Sequence, residues 1–225
     1  MFLIGLNYGF NKFTLGKVII PMVIKTIQTR GGRLAKIFPE YRDEVRKKVV
    51  SAAHEVFHCK GYRDATMSDI AAALGVTKPT IYHYFGGKEE IFAAVAEYER
   101  KLLESIIMDV FRDRDFITGV EVFFDTIMTK HLEKIGPESI GMATKDAKLQ
   151  EIINRDREAF LTIIERFLSQ RQGTGEIRGD ADPRTLACAL DALFNGLLIY
   201  IMQGMEINAV KKVWVDSVRG LTQAS

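Results

Sequence analysis

Cysteine is almost absent from this sequence, and its scarcity removes two classes of protein at once. The two cysteines, Cys59 and Cys188, stand far apart, with no CxxC pair and no metal-ligand spacing. A disulfide scaffold and a zinc ribbon are therefore excluded, and a reducing, cytoplasmic setting is the expectation. Proline is also rare, at 5 in 225 residues, which excludes collagen-like and low-complexity chains. With 47% hydrophobic residues the chain is not intrinsically disordered, and its length suits one large or two small domains. Catalytic signatures are missing too: there is no Gly-rich phosphate loop, no G-x-S-x-G elbow and no HExxH. No enzyme activity, no metal and no cofactor are expected.

Long apolar runs are short or interrupted. Near the N-terminus the continuous run Val18–Ile24 is broken by Pro21, and neither a charged n-region nor an A-x-A site accompanies it. Leu186–Met205 is long enough to span a bilayer but carries Asp191 centrally, with Asn195 and Gln203 nearby. A central Asp costs about 2.5–3.5 kcal/mol on insertion. The segment reads as a buried helix of a soluble protein, and no membrane partner is expected.

Charge is unevenly spread. Residues 1–88 hold 14 Lys/Arg against 6 Asp/Glu, a net of +8, while the remainder holds 17 against 23, a net of −6. A basic head on an acidic body suggests a polyanion partner. Residues 1–38 form a basic extension with six cations and no acid, broken by Gly31-Gly32. It reads as a flexible, solvated tail, with a basic arm reaching a DNA minor groove as the sharper alternative. Met22 is an alternative start within it.

From Pro39 the apolar pattern is helical throughout, so the fold class is all-α. Val45, Val49, Ala53, Val56 and Phe57 stripe a first helix that runs out at Gly61. Thr66 and Asp69 form a capping box that opens a short helix over 67–74, and Gly75 suits the left-handed turn after it. Thr77 caps a third helix, with Pro79 in its first turn, running to about Phe85. Helix, sharp glycine turn, helix is a helix-turn-helix. Beyond Gly86-Gly87 come a long helix from Lys88 to about Asp115, then helices near 118–135, 137–145, 149–172, 183–204 and 207–222.

In a helix-turn-helix the second helix enters the major groove, its first turn on base edges and its flanks on phosphates. Lys78, Pro79 and Thr80 occupy that first turn and are the candidate base contacts. Candidate phosphate contacts are Thr66, Thr77, Tyr82, His83, Tyr84 and Lys88. His54 and His58, at i, i+4 beside Cys59, lack a third ligand and read as a helix-flank pair without metal. Glu121 and Asp125 read as a solvated face, and Cys188 as a small buried hydrophobe.

Gly61-Tyr62, Thr66-Met67-Ser68-Asp69-Ile70-Ala71, Gly75-Val76-Thr77-Lys78, Thr80-Ile81-Tyr82-His83-Tyr84-Phe85 and Lys88-Glu89-Glu90-Ile91-Phe92 closely resemble the DNA-binding signature of the tetracycline-repressor (TetR) family over about residues 41–95. Gly87 stands where that pattern usually has Ser or Asn. Gly175-Glu176-Ile177-Arg178 before Asp182-Pro183 is a further family-like phrase.

The resemblance implies a three-helix DNA-binding domain over 39–87 and a helical regulatory and dimerisation domain over 88–225. It further implies a homodimeric, sequence-specific regulator, in most members a repressor released from a palindromic double-stranded operator by a small-molecule effector. An apolar or cationic effector is expected here. Its candidate pocket is Phe123, Met128, His131, Phe160, Phe194 and Asn195. The candidate dimer interface, on the last two helices, is Ala189, Ala192, Gly196, Val210, Trp214 and Val218. A ligand-independent or architectural DNA-binding protein, with a purely structural C-terminal domain, is the alternative.

Overall fold

The computed structural model describes residues 39–129 and 146–223. Among them are eight helices and no strand: α1 (Pro39–Asp64), α2 (Met67–Leu74), α3 (Lys78–Tyr82), α4 (Lys88–Phe111), α5 (Phe116–Thr129), α6 (Ala147–Gly173), α7 (Pro183–Met202) and α8 (Ile207–Thr222). The described residues divide into two compact units, one up to Val95 and one from Ala96. The division falls inside α4, whose first turns carry the buried Ile91, Phe92 and Val95.

In the first unit, α1 turns its Val49, Ala53 and Phe57 side inward. The chain kinks at Gly61 (φ 74, ψ 155), where the helix was expected to end, and resumes for one turn to Asp64. That φ is left-handed and favours glycine. The kink delivers Tyr62 into an aromatic cluster, its ring centroid 5.5 Å from Phe57 and 4.8 Å from Phe92. The capping box at the start of α2 is formed in full: Asp69 N–H donates to Thr66 Oγ1 at 3.1 Å, and Thr66 N–H donates to Asp69 Oδ2 at 2.9 Å. α2 ends in a Schellman turn, with Gly75 at φ 69 and Val76 N–H donating to the Ala71 carbonyl at 2.9 Å. α3 is shorter than expected, closing at Tyr82, because Tyr84 and Phe85 N–H both turn back to the Ile81 carbonyl.

The second unit packs α7 against α6 and α8, and α8 against α5. Three helices start on acidic caps: Asp146 on α6, Asp182 followed by Pro183 on α7, and Glu206 on α8. The Gly175–Arg178 loop is pinned from both sides. Arg171 donates to Glu176 at 2.5 Å and to the Phe111 carbonyl at 2.6 Å, while Arg178 N–H donates to the Thr222 carbonyl at 2.7 Å. Ile177 is thereby fixed in the core.

By length and composition α7 could cross a membrane. In this fold its Leu186, Ala187, Leu190 and Leu197 belong to the core of the second unit. Cys188, expected inside, is exposed on the opposite side of α7. The expected helix over 137–145 lies outside the described residues, as does the end of the one expected over 118–135.

Candidate nucleic-acid interface and cavity

A hydrogen-bond frame holds α3 on the first unit. Arg46 of α1 donates to the Tyr84 carbonyl and to Glu90 Oε1 at 3.1 Å, and its guanidinium lies 4.0 Å from the Phe85 ring centroid. Glu90 Oε2 in turn accepts from Gly86 N–H at 2.7 Å. That backbone hydrogen bond, followed by the bonds and charge of Arg46, holds the Glu90 carboxyl below the usual range. The segment joining α3 to α4 is thus tied to both α1 and α4. Sequence reasoning missed this frame, because Arg46 and Glu90 are distant in the chain and each reads as an ordinary surface charge.

On this frame α3 presents Lys78, Pro79, Tyr82 and His83 to solvent, with Thr80 half-buried. Lys78 forms no ion pair among the described residues, and its ammonium lies 5.9 Å from the Tyr82 ring centroid. Thr77 stands at the cap position, but its hydroxyl pairs with that of Thr80 at 2.9 Å instead of capping a backbone N–H. Ile81 and Phe85 face the core, 1% exposed each, so the exposed face of α3 has one possible orientation.

Three of the expected phosphate contacts are buried or hydrogen-bonded within the chain in this geometry. Tyr84 is buried, 8% exposed, and burial pushes its hydroxyl pKa up. Thr66 Oγ1 donates to Asp69 Oδ2 at 2.7 Å, so its hydroxyl and its backbone N–H both serve the capping box. Lys88 turns its ammonium into a cage of carbonyls, donating to Tyr62 at 2.7 Å, Ala65 at 2.8 Å and Arg63 at 3.3 Å. Its three protons are used there, and burial lowers its pKa.

In the second unit α4 to α8 enclose an apolar cavity of about 600 Å³ including its open mouth. Seven of its fourteen lining residues are aromatic, among them Phe123, Phe160, Phe194 and Trp214. Phe194 packs edge-on to Trp214 at 5.0 Å, and Trp214 Nε1 donates to the Val120 carbonyl at 3.2 Å. One ionisable side chain lines it among the described residues: Asp191. Burial raises the Asp191 pKa, opposed by the charge of exposed Arg157 and by Asn195.

Of the expected pocket residues, Phe123, Phe160 and Phe194 line this cavity. Asn195 does not line the cavity. Its Nδ2 donates to Asp191 Oδ1 at 3.0 Å and to the Asp191 carbonyl at 2.8 Å, so it orients the acid. Met128 packs against the core outside the lining, and His131 lies outside the described residues. Asp191 was missed as a cavity residue, although a lone acid inside an apolar helix was its visible signal.

The expected dimer surface needs a sharper correction. Val210 and Val218 are 0% exposed and Trp214 is 5% exposed, all within their own protomer. Their stripe on α8 faces the core shared with α5 and α7, which leaves them nothing to offer a second chain. Ala192 is exposed, and Ala189 and Gly196 are half-buried. Nothing lies within 4 Å of a Cβ built at Gly196.

Two short helices joined by a glycine turn and braced on a third define a helix-turn-helix regulator. The family model for bacterial regulatory proteins of the tetR family matches residues 49–95, which span this module. The chain is 39% identical over 182 residues to the uncharacterized HTH-type transcriptional regulator YdgC of Bacillus subtilis, covering 75% of this chain and 84% of that one. The fold is shared with a transcriptional regulator from Saccharomonospora viridis in complex with choline (TM-score 0.65, 19% identity, 81% of this chain and 100% of that one). It is shared also with FadR from Bacillus subtilis in complex with stearoyl-CoA (TM-score 0.59, 21% identity, 76% and 96%). The chain belongs to the TetR family and is a transcriptional regulator.

Proposed function

We propose that the protein is a cytoplasmic, homodimeric repressor that holds a palindromic operator and is released from it by a small molecule bound in the second unit. The observation that carries this reading is the apolar cavity itself. Two of its lining residues, Ile107 and Phe111, lie on α4, the helix whose first turns belong to the DNA-binding unit. A ligand that favours one tilt of α4 changes the spacing of the two recognition helices, which must reach successive major grooves about 34 Å apart. Ligand and operator then weaken each other by the same factor. The choline and stearoyl-CoA complexes of the two structural neighbours support a ligand-binding role for this kind of body.

Lys78, Pro79 and Thr80 read base edges, and Thr77, Tyr82 and His83 contact phosphates. The partner protomer docks on the outward face of α7, where Cys188, Ala192, Gly196 and Tyr200 recur every four residues, together with Val213 of α8. Tyr200 and Val213 are 50% and 44% exposed, although both are large apolar side chains. The test is fluorescence anisotropy of a labelled operator titrated with protein. A saturable, sequence-dependent rise that a small molecule reverses supports the reading. A rise that no ligand reverses points to a ligand-blind DNA binder.

A further inference from the structure

We propose that the cavity of the second unit takes a cationic small molecule with an apolar body, its positive centre paired with the Asp191 carboxylate and its body against Phe123, Phe160, Phe194 and Trp214. The proposal rests on the reading of this cavity as the effector site and names the ligand class that the site selects.

The wall is almost wholly apolar, and Asp191 is the one ionisable residue in its lining among the described residues. Aromatic rings form half of the lining, and their faces carry negative potential that attracts a cation as well as apolar groups. Asp191 adds a full negative charge where it is ionised. Asn195 donates to Oδ1 at 3.0 Å, and no donor reaches Oδ2 among the described residues. Arg157 is the cation whose field acts on this carboxylate, yet it is exposed and forms no ion pair with it.

A carboxylate in apolar surroundings is costly until a partner compensates it. An organic cation supplies that compensation and meets the rings at the same time. A neutral hydrocarbon of the same shape fills the space but leaves Asp191 unpaired. An organic anion brings like charge towards it. The site therefore discriminates by charge as well as by size. Asn195, four residues on in the same helix, fixes the direction of the acid.

The chain's single tryptophan, Trp214, lies in the cavity wall, so its fluorescence reports entry directly on the full-length protein without DNA. The probes are benzyltrimethylammonium, its neutral isostere neopentylbenzene, and decanoate. We expect the cation to bind at least about tenfold more tightly than the isostere. Asp191→Asn removes this preference while leaving neopentylbenzene binding unchanged, which also shows that the variant is folded. If the variant does not fold, the comparison of cation and isostere on the natural chain decides alone. Equal or tighter binding of neopentylbenzene or decanoate overturns the proposal, as does an unchanged Trp214 signal with all three. Operator release is read separately by anisotropy. A cation that binds without releasing DNA leaves the ligand class standing and removes the release reading.

Discussion

The ammonium of Lys88 donates to the Tyr62 carbonyl at 2.7 Å and lies 4.3 Å from the centroid of the Tyr62 ring. One side chain at the start of α4 thus closes the end of α1 and stacks on the aromatic cluster that Tyr62 shares with Phe57 and Phe92. A surface lysine at a helix start suggests an anion contact, but here its charge is turned inward to carbonyl oxygens. It serves the shape of the DNA-binding unit.

Lys88→Met keeps the stem and removes the donors, so a thermal melt of the variant should fall below that of the natural chain. Loss of one phosphate contact would reduce the salt slope of DNA binding by about 1. The slope should instead be unchanged for Lys88→Met. A reduced slope with an unchanged melt would reverse the assignment.

Lys78 and Tyr82 should separate by their effect on sequence preference. Lys78→Ala should cost about 1–3 kcal/mol on the preferred site and relax discrimination at one base position. Tyr82→Phe removes a single hydroxyl and should cost about 0.5–1.5 kcal/mol on every sequence alike. Competition binding against single-base operator variants measures both. An unchanged preference after Lys78→Ala would show that this lysine does not read bases.

The α2 cap should make the first unit acid-sensitive in a defined window. The hydrogen bond from Lys60, then those from the Thr66 hydroxyl and backbone, lower the Asp69 pKa from 3.8 to about 2. A depressed carboxylate stabilises the fold above its unfolded pKa, and that contribution is lost as pH falls from about 4 through about 2. Denaturant midpoints of the natural chain and Asp69→Asn should therefore differ near neutrality and converge across this window. A constant gap would show that the ionised form contributes nothing.

Gly119 of α5 stands against the cavity wall with no room for a side chain. A Cβ built there would meet Phe111 Cδ1 at 2.3 Å. Gly119→Ala should destabilise the second unit by about 1–3 kcal/mol through overpacking and displace the Phe111 ring. A thermal melt checks the stability. A melt equal to that of the natural chain would show that Phe111 gives way at no cost.

What could be read from the chain was local. The Thr66–Asp69 box, the Gly75 turn and Pro183 after Asp182 each need only residues a few positions apart, and all three are formed. Contacts across long separations were invisible, as between Arg46 and Glu90 or between Lys88 and Tyr62. Periodicity found the stripe of Val210, Trp214 and Val218 on α8 but not what covers it. A stripe looks the same whether it meets the protomer's own core or a second chain. Asp191 was visible as an odd acid in an apolar helix, and its place in the cavity wall emerged only when α4 to α8 were assembled around it.

The most direct test of sequence-specific, two-fold operator recognition is selection of bound duplexes from a random DNA library by the full-length protein at moderate salt. Enrichment of a palindrome with half-site centres about 34 Å apart is expected, and Lys78→Ala should relax that enrichment at one base position of each half-site. Recovery of DNA with no enriched sequence would contradict it, leaving only charge-driven binding.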